Sequence, residues 1–425
     1  MASIRKRGNN YQITVSVGRD TTGKQIIETT TFTPDPSKTE KQNEKALQLF
    51  ALEFEKKVKD GKYLSGEKIT YGEFVKMWMD ENIKNNLLSQ PTIEMYKTRF
   101  DALVLPELGH IKLADLSPMY IKRFYDKLIE RGHMVKGQRK DYSPKTIKRF
   151  HQMISSSLTA AVYWQLIDEN PCKRVKPPKV EKQVDVKHFT LEQAQIFIDY
   201  LNEPYTVEHW GRRKKDGSPS DRHKEVHRIP LQIITLFNMA LFGGFRRGEL
   251  VALTWDDIDF EHSTVTINKS ATRTKKDGLT IKSPKNFSSN RVVSLPENCM
   301  QLLKKHRADQ LAYKFSLGDY WQEGNFIFTQ ENGLMMDVDT PNKIFKKTIK
   351  RYNESHTEKL PEITLHGLRH TSATLLISQN VDVKTVSARL GHSETSTTLD
   401  VYSHALQKRD AEAAASIGDL FKRQA

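Results

Sequence analysis

The stretch NPCKRVKPPKVEKQ, residues 170–183, divides this chain more sharply than any other. Proline fixes φ, removes a backbone donor and pushes the preceding residue toward extended backbone. The lysines between the prolines leave almost nothing to bury, so residues 171–186 are expected to form an interdomain linker. The hydrophobic pattern differs on its two sides. A chain of 425 residues is long enough for two or three domains, and the linker separates the last of them.

The N-terminal pattern has period two. Tyr11, Ile13, Val15 and Val17 fall on one face of a strand, with Gln12, Thr14 and Ser16 on the other. RDTTGK is a turn and IIETTTF a second β-rich run, before Pro34 and Pro36 break the pattern. Leu47, Phe50, Phe54 and Val58 then recur at helical spacing, behind a capping box expected at Thr39 and Gln42. Residues 1–65 are therefore expected to be a small three-stranded sheet plus a helix. The opening IRKRGNN makes Arg5, Lys6 and Arg7 candidate DNA contacts, because a basic β-ribbon can enter the major groove.

From residue 66 to 170 the pattern is helical throughout, with stripes at Ile93–Tyr96–Phe100–Leu103, Ile121–Phe124–Leu128 and Ile147–Phe150–Ile154–Leu158–Val162. Four or five short helices are expected. Lys145, Lys148 and Arg149 lie on a face away from the third stripe and are further candidate DNA contacts, as a surface that grips the phosphate backbone. The net charge of +15 points the same way, toward a polyanionic partner. No apolar run reaches membrane-spanning length and no signal peptide opens the chain, so a cytoplasmic protein is expected. The two cysteines, Cys172 and Cys299, form neither a disulfide framework nor a zinc motif.

Residues 187–425 carry the chemistry-bearing motifs. FTLEQAQIFIDYL opens them as a helix with a second capping box, Thr190 and Gln193. Residues 206–228 interrupt the domain as a polar insertion to which the sequence assigns no role. LFGGFRRGELVALTWDDID is expected to be a helix entered through two glycines, with Arg246 and Glu249 on one face. TVTIN and NRVVSLP are expected strands, and between them TKKDGLTIKSPKNFSS is a basic hairpin segment that includes Lys285. His366 and Arg369 are three apart on the helix ITLHGLRHTSATLLIS. VKTVSARLGHS is a helix closed by Gly391, with His392 just beyond, and Tyr402 follows on a short polar segment. His366 and His370 have the spacing of a metal-ligand pair, yet the glutamate of the zinc-protease pattern is missing and no third ligand is evident.

GGFRRGEL, PKNFSSNRVVSLP, LHGLRHT and LGHSETSTTLDVYSH occur in that order, and together they resemble the tyrosine recombinases, or phage-type integrases. The resemblance implies a mostly α multidomain chain with small β elements: an arm-type DNA-binding domain at residues 1–65, a helical, SAM-like core-binding domain at 66–170, and a mixed α/β catalytic domain at 187–425. It implies a catalytic set of Arg246, Lys285, His366, Arg369 and His392, with Tyr402 as nucleophile. The expected partners are double-stranded DNA at core and arm-type attachment sites, a homotetramer on that DNA, and an excisionase or host DNA-bending protein. The family also implies that the tail from Ala411 to Phe421 docks on a neighbouring protomer.

The chemistry is consistent with those roles. A tyrosine oxygen is a better leaving group than an alkyl alcohol, so a phosphotyrosine link can be reversed. Arginines clamp the charge of the transition state without deprotonating, and no cofactor or metal is expected. A type IB topoisomerase-like strand-swivelling enzyme shares much of this chemistry and stays open as an alternative, as does a DNA-binding regulator without catalysis.

Overall fold

The computed structural model describes residues 2–19, 23–59, 69–135, 137–179, 187–210, 222–283 and 290–391. The chain divides into two compact units, residues 1–181 and 182–425. No helix among the described residues is long and apolar enough to cross a membrane.

In the first unit, β1 (Ser3–Arg7), β2 (Asn10–Arg19) and β3 (Gln25–Phe32) form an antiparallel sheet in that order. Ile13 and Val15 are buried against Leu47, Ala51, Phe54 and Val58 of α1 (Glu40–Lys59). Ala51 takes the core position expected of Phe50. Phe50 instead stays exposed at the margin of the stripe, where its ring meets Phe32 at 5.5 Å between centroids. The Gln42 side chain accepts from the Thr39 backbone N–H at 2.9 Å, which is the glutamine half of the expected capping box.

The helical part of this unit contains α2 (Tyr71–Lys84), α3 (Gln90–Arg99), α4 (Leu105–Leu108), α5 (Pro118–Arg131) and, after a hairpin, α6 (Pro144–Tyr163). A π-helical turn, Phe100–Val104, joins α3 to α4. The three stripes converge on one core in which Phe100, Phe124, Ile147 and Leu158 are buried. A full capping box at Thr70 and Glu73 starts the bundle. Its pattern is not helical throughout: β4 (His133–Val135) and β5 (Gln138–Lys140) form a hairpin between α5 and α6. Three-residue strands are too short to display an alternation, and the glycines at 132 and 137, both at positive φ, stop the helix and turn the chain. The linker stretch also begins with buried residues. Pro171 and Cys172 sit in a 3-10 turn, and the Asn170 side chain ties that turn to Ser155 and Thr159 of α6. Burial pushes the Cys172 and Cys299 thiols up to about 12, so both remain protonated.

The second unit opens with α7 (Leu191–Tyr200) behind the expected capping box of Thr190 and Gln193. The described ends of the polar insertion pair as a β-hairpin, β6 (Tyr205–Trp210) with β7 (Arg222–His227). The spine is α8 (Leu231–Gly243), a largely apolar helix most of whose residues are buried. Next come α9 (Arg247–Ala252) and β8 (Ile258–Asp259), then β9 (Thr264–Ile267). β10 (Ser270–Thr274) pairs with β11 (Gly278–Lys282) as a separate hairpin, and β12 (Arg291–Ser294) returns to pair with β9. The sheet order is β12-β9-β8. Three of the remaining four helices complete the core: α10 (Glu297–Leu317), α11 (Thr340–Ser355) and α12 (Leu365–Ser378). The last, α13 (Val383–Leu390), packs on α12 through Val386 and Leu390.

One expected helix is shorter than its motif. The two glycines of LFGGFRRGEL end α8 rather than open α9, since Gly244 is left-handed with φ 62°. α9 stops at Ala252, and WDD is a 3-10 turn.

Candidate active site

The carbonyls at a helix C-terminus lack intrahelical partners. In the second unit, two such ends, those of α8 and α13, point into the same region, and arginines satisfy them. Arg369, on the buried face of α12, is 2% exposed. One of its terminal nitrogens donates to the Gly244 carbonyl at 2.8 Å and the other to the Leu390 carbonyl at 2.6 Å. Arg246 donates to the next carbonyl, that of Gly391, at 2.8 Å. The two arginines singled out in separate motifs thus meet on consecutive carbonyls at the end of α13.

Their surroundings differ. Arg246 caps the start of α9, and its side chain keeps 38% of its surface accessible. Glu249, one turn on, accepts from the Arg246 backbone N–H at 2.9 Å and from its guanidinium at 2.8 Å. This carboxylate is buried, which by itself raises its pKa. The hydrogen bonds and charge of Arg291, with the bonds from Arg246, outweigh the burial and hold it below the ordinary range. Glu249 is therefore an ionised, buried strut that fixes the exposed guanidinium.

His366 occupies the first turn of α12 with an exposed edge, its ring packed edge-on against His370 at 4.7 Å between centroids. Burial of part of the ring lowers its pKa, and the charges of Arg369 and Arg246 lower it further. The ring senses both arginines, so the three groups share one electrostatic site. Among the described residues no group of three or more His, Cys, Asp or Glu could hold a metal ion.

The basic hairpin β10–β11 lies against α9. A Cβ on Gly248 would fall 2.6 Å from the Ala271 carbonyl oxygen, so only glycine permits this approach. Lys275 and Lys276 occupy the hairpin turn and Lys282 the end of β11. Lys285, His392, Tyr402 and the tail lie outside the described residues. Gly391, the residue before His392, is a left-handed cap with φ 67°. In the first unit Arg5, Lys6 and Arg7 are exposed along β1, and Lys145, Lys148 and Arg149 are exposed on the first two turns of α6.

Arg291 was missed from the sequence as part of this site. It starts β12 and is 42 residues from Glu249, yet it donates to both oxygens of that carboxylate, at 2.8 and 3.3 Å. Only its place directly ahead of two valines in a short strand sets it apart in the sequence.

Comparison with known proteins bears on the family of the chain. The model of the phage integrase family matches residues 222–409, and that of the phage integrase N-terminal SAM-like domain matches residues 70–129. The chain is 28% identical to a XerC-like tyrosine recombinase of Caldanaerobacter subterraneus subsp. tengcongensis, over 97% of this chain and 96% of that protein. It is 29% identical to the ICEBs1 integrase of Bacillus subtilis, over 65% of this chain and 66% of that protein. It is 24% identical to the transposase from transposon Tn916 of Enterococcus faecalis, over 83% and 78%. The fold is that of the Tn1549 transposon integrase, solved in complex with transposon right end DNA, with a TM-score of 0.62 at 21% identity over 80% of this chain and 98% of that one. These relatives favour a recombinase over a strand-swivelling topoisomerase or a silent regulator. With its arginines gathered at the end of α13 and both family models matched in order, the chain belongs to the phage integrase family, the tyrosine-type site-specific recombinases that serve as integrases of mobile elements.

Proposed function

We propose that the chain cuts and rejoins DNA strands through a 3′-phosphotyrosine intermediate, with Tyr402 as nucleophile. Its oxygen bonds to the scissile phosphorus as the bond from phosphorus to the 5′ oxygen breaks. His366 takes the tyrosine proton, which a neutral imidazole can do. Arg246 and Arg369 hold the charge on the non-bridging oxygens, and His392 adds a donor. Lys285 gives the departing 5′ oxygen its proton. A 5′ hydroxyl from a second strand reverses the step and joins it in place of the first.

The observation that carries this reading is the meeting of Arg246 and Arg369 on the carbonyls of Gly391 and Leu390, immediately ahead of His392 in the chain. Two guanidiniums held close in a fixed array repel each other, and an anion between them relieves the repulsion.

The partner is double-stranded DNA. The helical and catalytic domains grip the core site, and residues 1–65 bind separate arm-type sites through Arg5, Lys6 and Arg7. Lys145, Lys148 and Arg149 stand near the start of α6, whose first turn has no acidic residue. Cations there oppose the helix dipole, and a phosphate would offset that cost. The protein acts in the cytoplasm as a homotetramer on two sites, aided by an excisionase or a host DNA-bending protein. Tyr402→Phe is expected to bind a nicked core-site duplex with affinity within about twofold of wild type and to form no covalent adduct on a denaturing gel. An adduct that persists, or maps to another residue such as Tyr352, would overturn the assignment.

A further inference from the structure

We propose that Arg291 is a positioning residue for the recombination site, a third arginine that ties the support of Arg246 to the end of α13. The proposal rests on the reading of Arg246 as the transition-state clamp.

Three consecutive carbonyls close α13, and a different arginine takes each. Arg291 Nε donates to the Arg389 carbonyl at 2.7 Å, Arg369 to that of Leu390 at 2.6 Å and Arg246 to that of Gly391 at 2.8 Å. The other side of the Arg291 fork grips Glu249, the carboxylate that also holds Arg246. One planar guanidinium therefore spans both supports of the exposed clamp. Its side chain is 6% exposed, beside a carboxylate that is 5% exposed, so the pair is shielded from solvent screening.

The link between β12 and α13 runs in both directions. Arg389 donates back to the Ser294 carbonyl on β12 at 2.9 Å and to the Phe242 carbonyl of α8 at 2.8 Å. Arg291 also lies close against the α13 cap: a Cβ on Gly391 would come within 2.9 Å of its Nη1. Gly391 thus serves a left-handed turn and a close approach at once.

Charge gives Arg291 a second role. Glu249 bears one negative charge and touches two guanidiniums, so the trio is net positive. Without Arg291, Glu249 would neutralise Arg246 alone, and the clamp would lose the excess charge that a phosphorane needs. Lysine at this position would keep the charge but could not reach Glu249 and the Arg389 carbonyl together.

The test is single-turnover adduct formation by the full chain on the nicked core-site duplex that the wild type cleaves. A second duplex carries a methylphosphonate at the scissile position, which removes one anionic oxygen. Arg291→Met is expected to slow cleavage of the phosphate duplex by about tenfold to a hundredfold. On the methylphosphonate the penalty relative to wild type should shrink to about threefold or less, because less charge remains to balance. Arg291→Lys should recover most of the rate on phosphate, and duplex affinity should stay within about twofold for both variants. Equal penalties on the two duplexes, or no penalty on either, would overturn the inference. Should Arg291→Met lose its cooperative thermal transition, Arg291→Lys decides. Its expected loss is severalfold and again confined to the phosphate duplex; wild-type rates on both, or an equal loss on both, overturn it. Arg246→Met separates the two levels of the argument. If that variant cleaves phosphate normally, the clamp reading itself fails; if it is slow while Arg291→Met is not, only the present inference does.

Discussion

In the proposed mechanism, the arginines assigned to the phosphate also act, together with burial, on the protonation of His366, the assigned base. Partial burial and the charges of Arg369 and Arg246 hold its pKa below the ordinary histidine value of 6.5. The ring is then neutral throughout the neutral range, as the proposed acceptor of the Tyr402 proton must be. Adduct formation should stay level as pH falls through 6.5 and decline only when the depressed value is crossed. Labelled-histidine NMR of the full chain should show the His366 midpoint below 6.5, and Arg246→Met should move it upward by removing a repelling charge. A midpoint at or above the ordinary value would show that the guanidiniums do not govern this ring. Arg246, His366 and Arg369 could be singled out in the sequence because each sits in one of the short, ordered motifs that resemble the tyrosine recombinases, whereas the spacing of each motif alone fits an ordinary surface pair. Arg291 was not, because its contacts to Glu249 and to the Arg389 carbonyl are tertiary and leave no local pattern.

Between residue and domain, the elements differ in how clearly they announce themselves. Long stripes such as Ile147 to Leu158 were readable because period and length reinforce each other. The hairpin β4–β5 and the early end of α9 at Ala252 were not, since a three-residue strand and a six-residue helix hold too few positions to display a period. The β10–β11 hairpin was visible as a run of lysines, but its seat on α9 depends on a glycine whose role only the fold reveals. Gly248 admits the Ala271 carbonyl where a methyl would collide with it at 2.6 Å. Gly248→Ala should therefore lift the hairpin away from Arg246 and, with it, the segment that leads to Lys285. If Lys285 is the general acid, the variant should cleave an ordinary duplex about tenfold or more slowly. It should recover on a duplex with sulfur in place of the bridging 5′ oxygen, because a thiolate leaves without a proton. Lys285→Ala should behave alike and more strongly. A Gly248→Ala defect of equal size on both duplexes would mean that the hairpin seat serves only the fold.

At the scale of the whole molecule, the described residues of the N-terminal sheet and helix, of the helical bundle and of the second unit pack into separate hydrophobic cores that share no residues, and this separation predicts that the N-terminal part can be removed cleanly. The first core is built from Ile13, Val15, Leu47, Ala51, Phe54 and Val58, all before residue 60. The helical bundle begins afresh at the Thr70–Glu73 capping box, with Thr70 also bridged to Lys112. Deleting residues 1–65 thus removes one complete core and leaves the cap and core of the next intact. The truncated chain should keep its cooperative unfolding and cleave a minimal core-site duplex within about threefold of the full chain. Binding to flanking arm-type sites should be lost, because Arg5, Lys6 and Arg7 line an exposed strand that holds no acidic residue of its own. The loss should also appear in the salt dependence. Each phosphate neutralised by a lysine or arginine contributes about 0.9 to the slope of log affinity against log salt, so three contacts on β1 predict a decrease of about 2–3 on DNA carrying both kinds of site. An unchanged slope with unchanged affinity would remove the β1 cations from the interface and leave the basic face of α6 as the principal backbone grip of the first unit. The same measurement on Lys145→Ala, Lys148→Ala and Arg149→Ala in the truncated chain would then be expected to lower the slope on the core site alone.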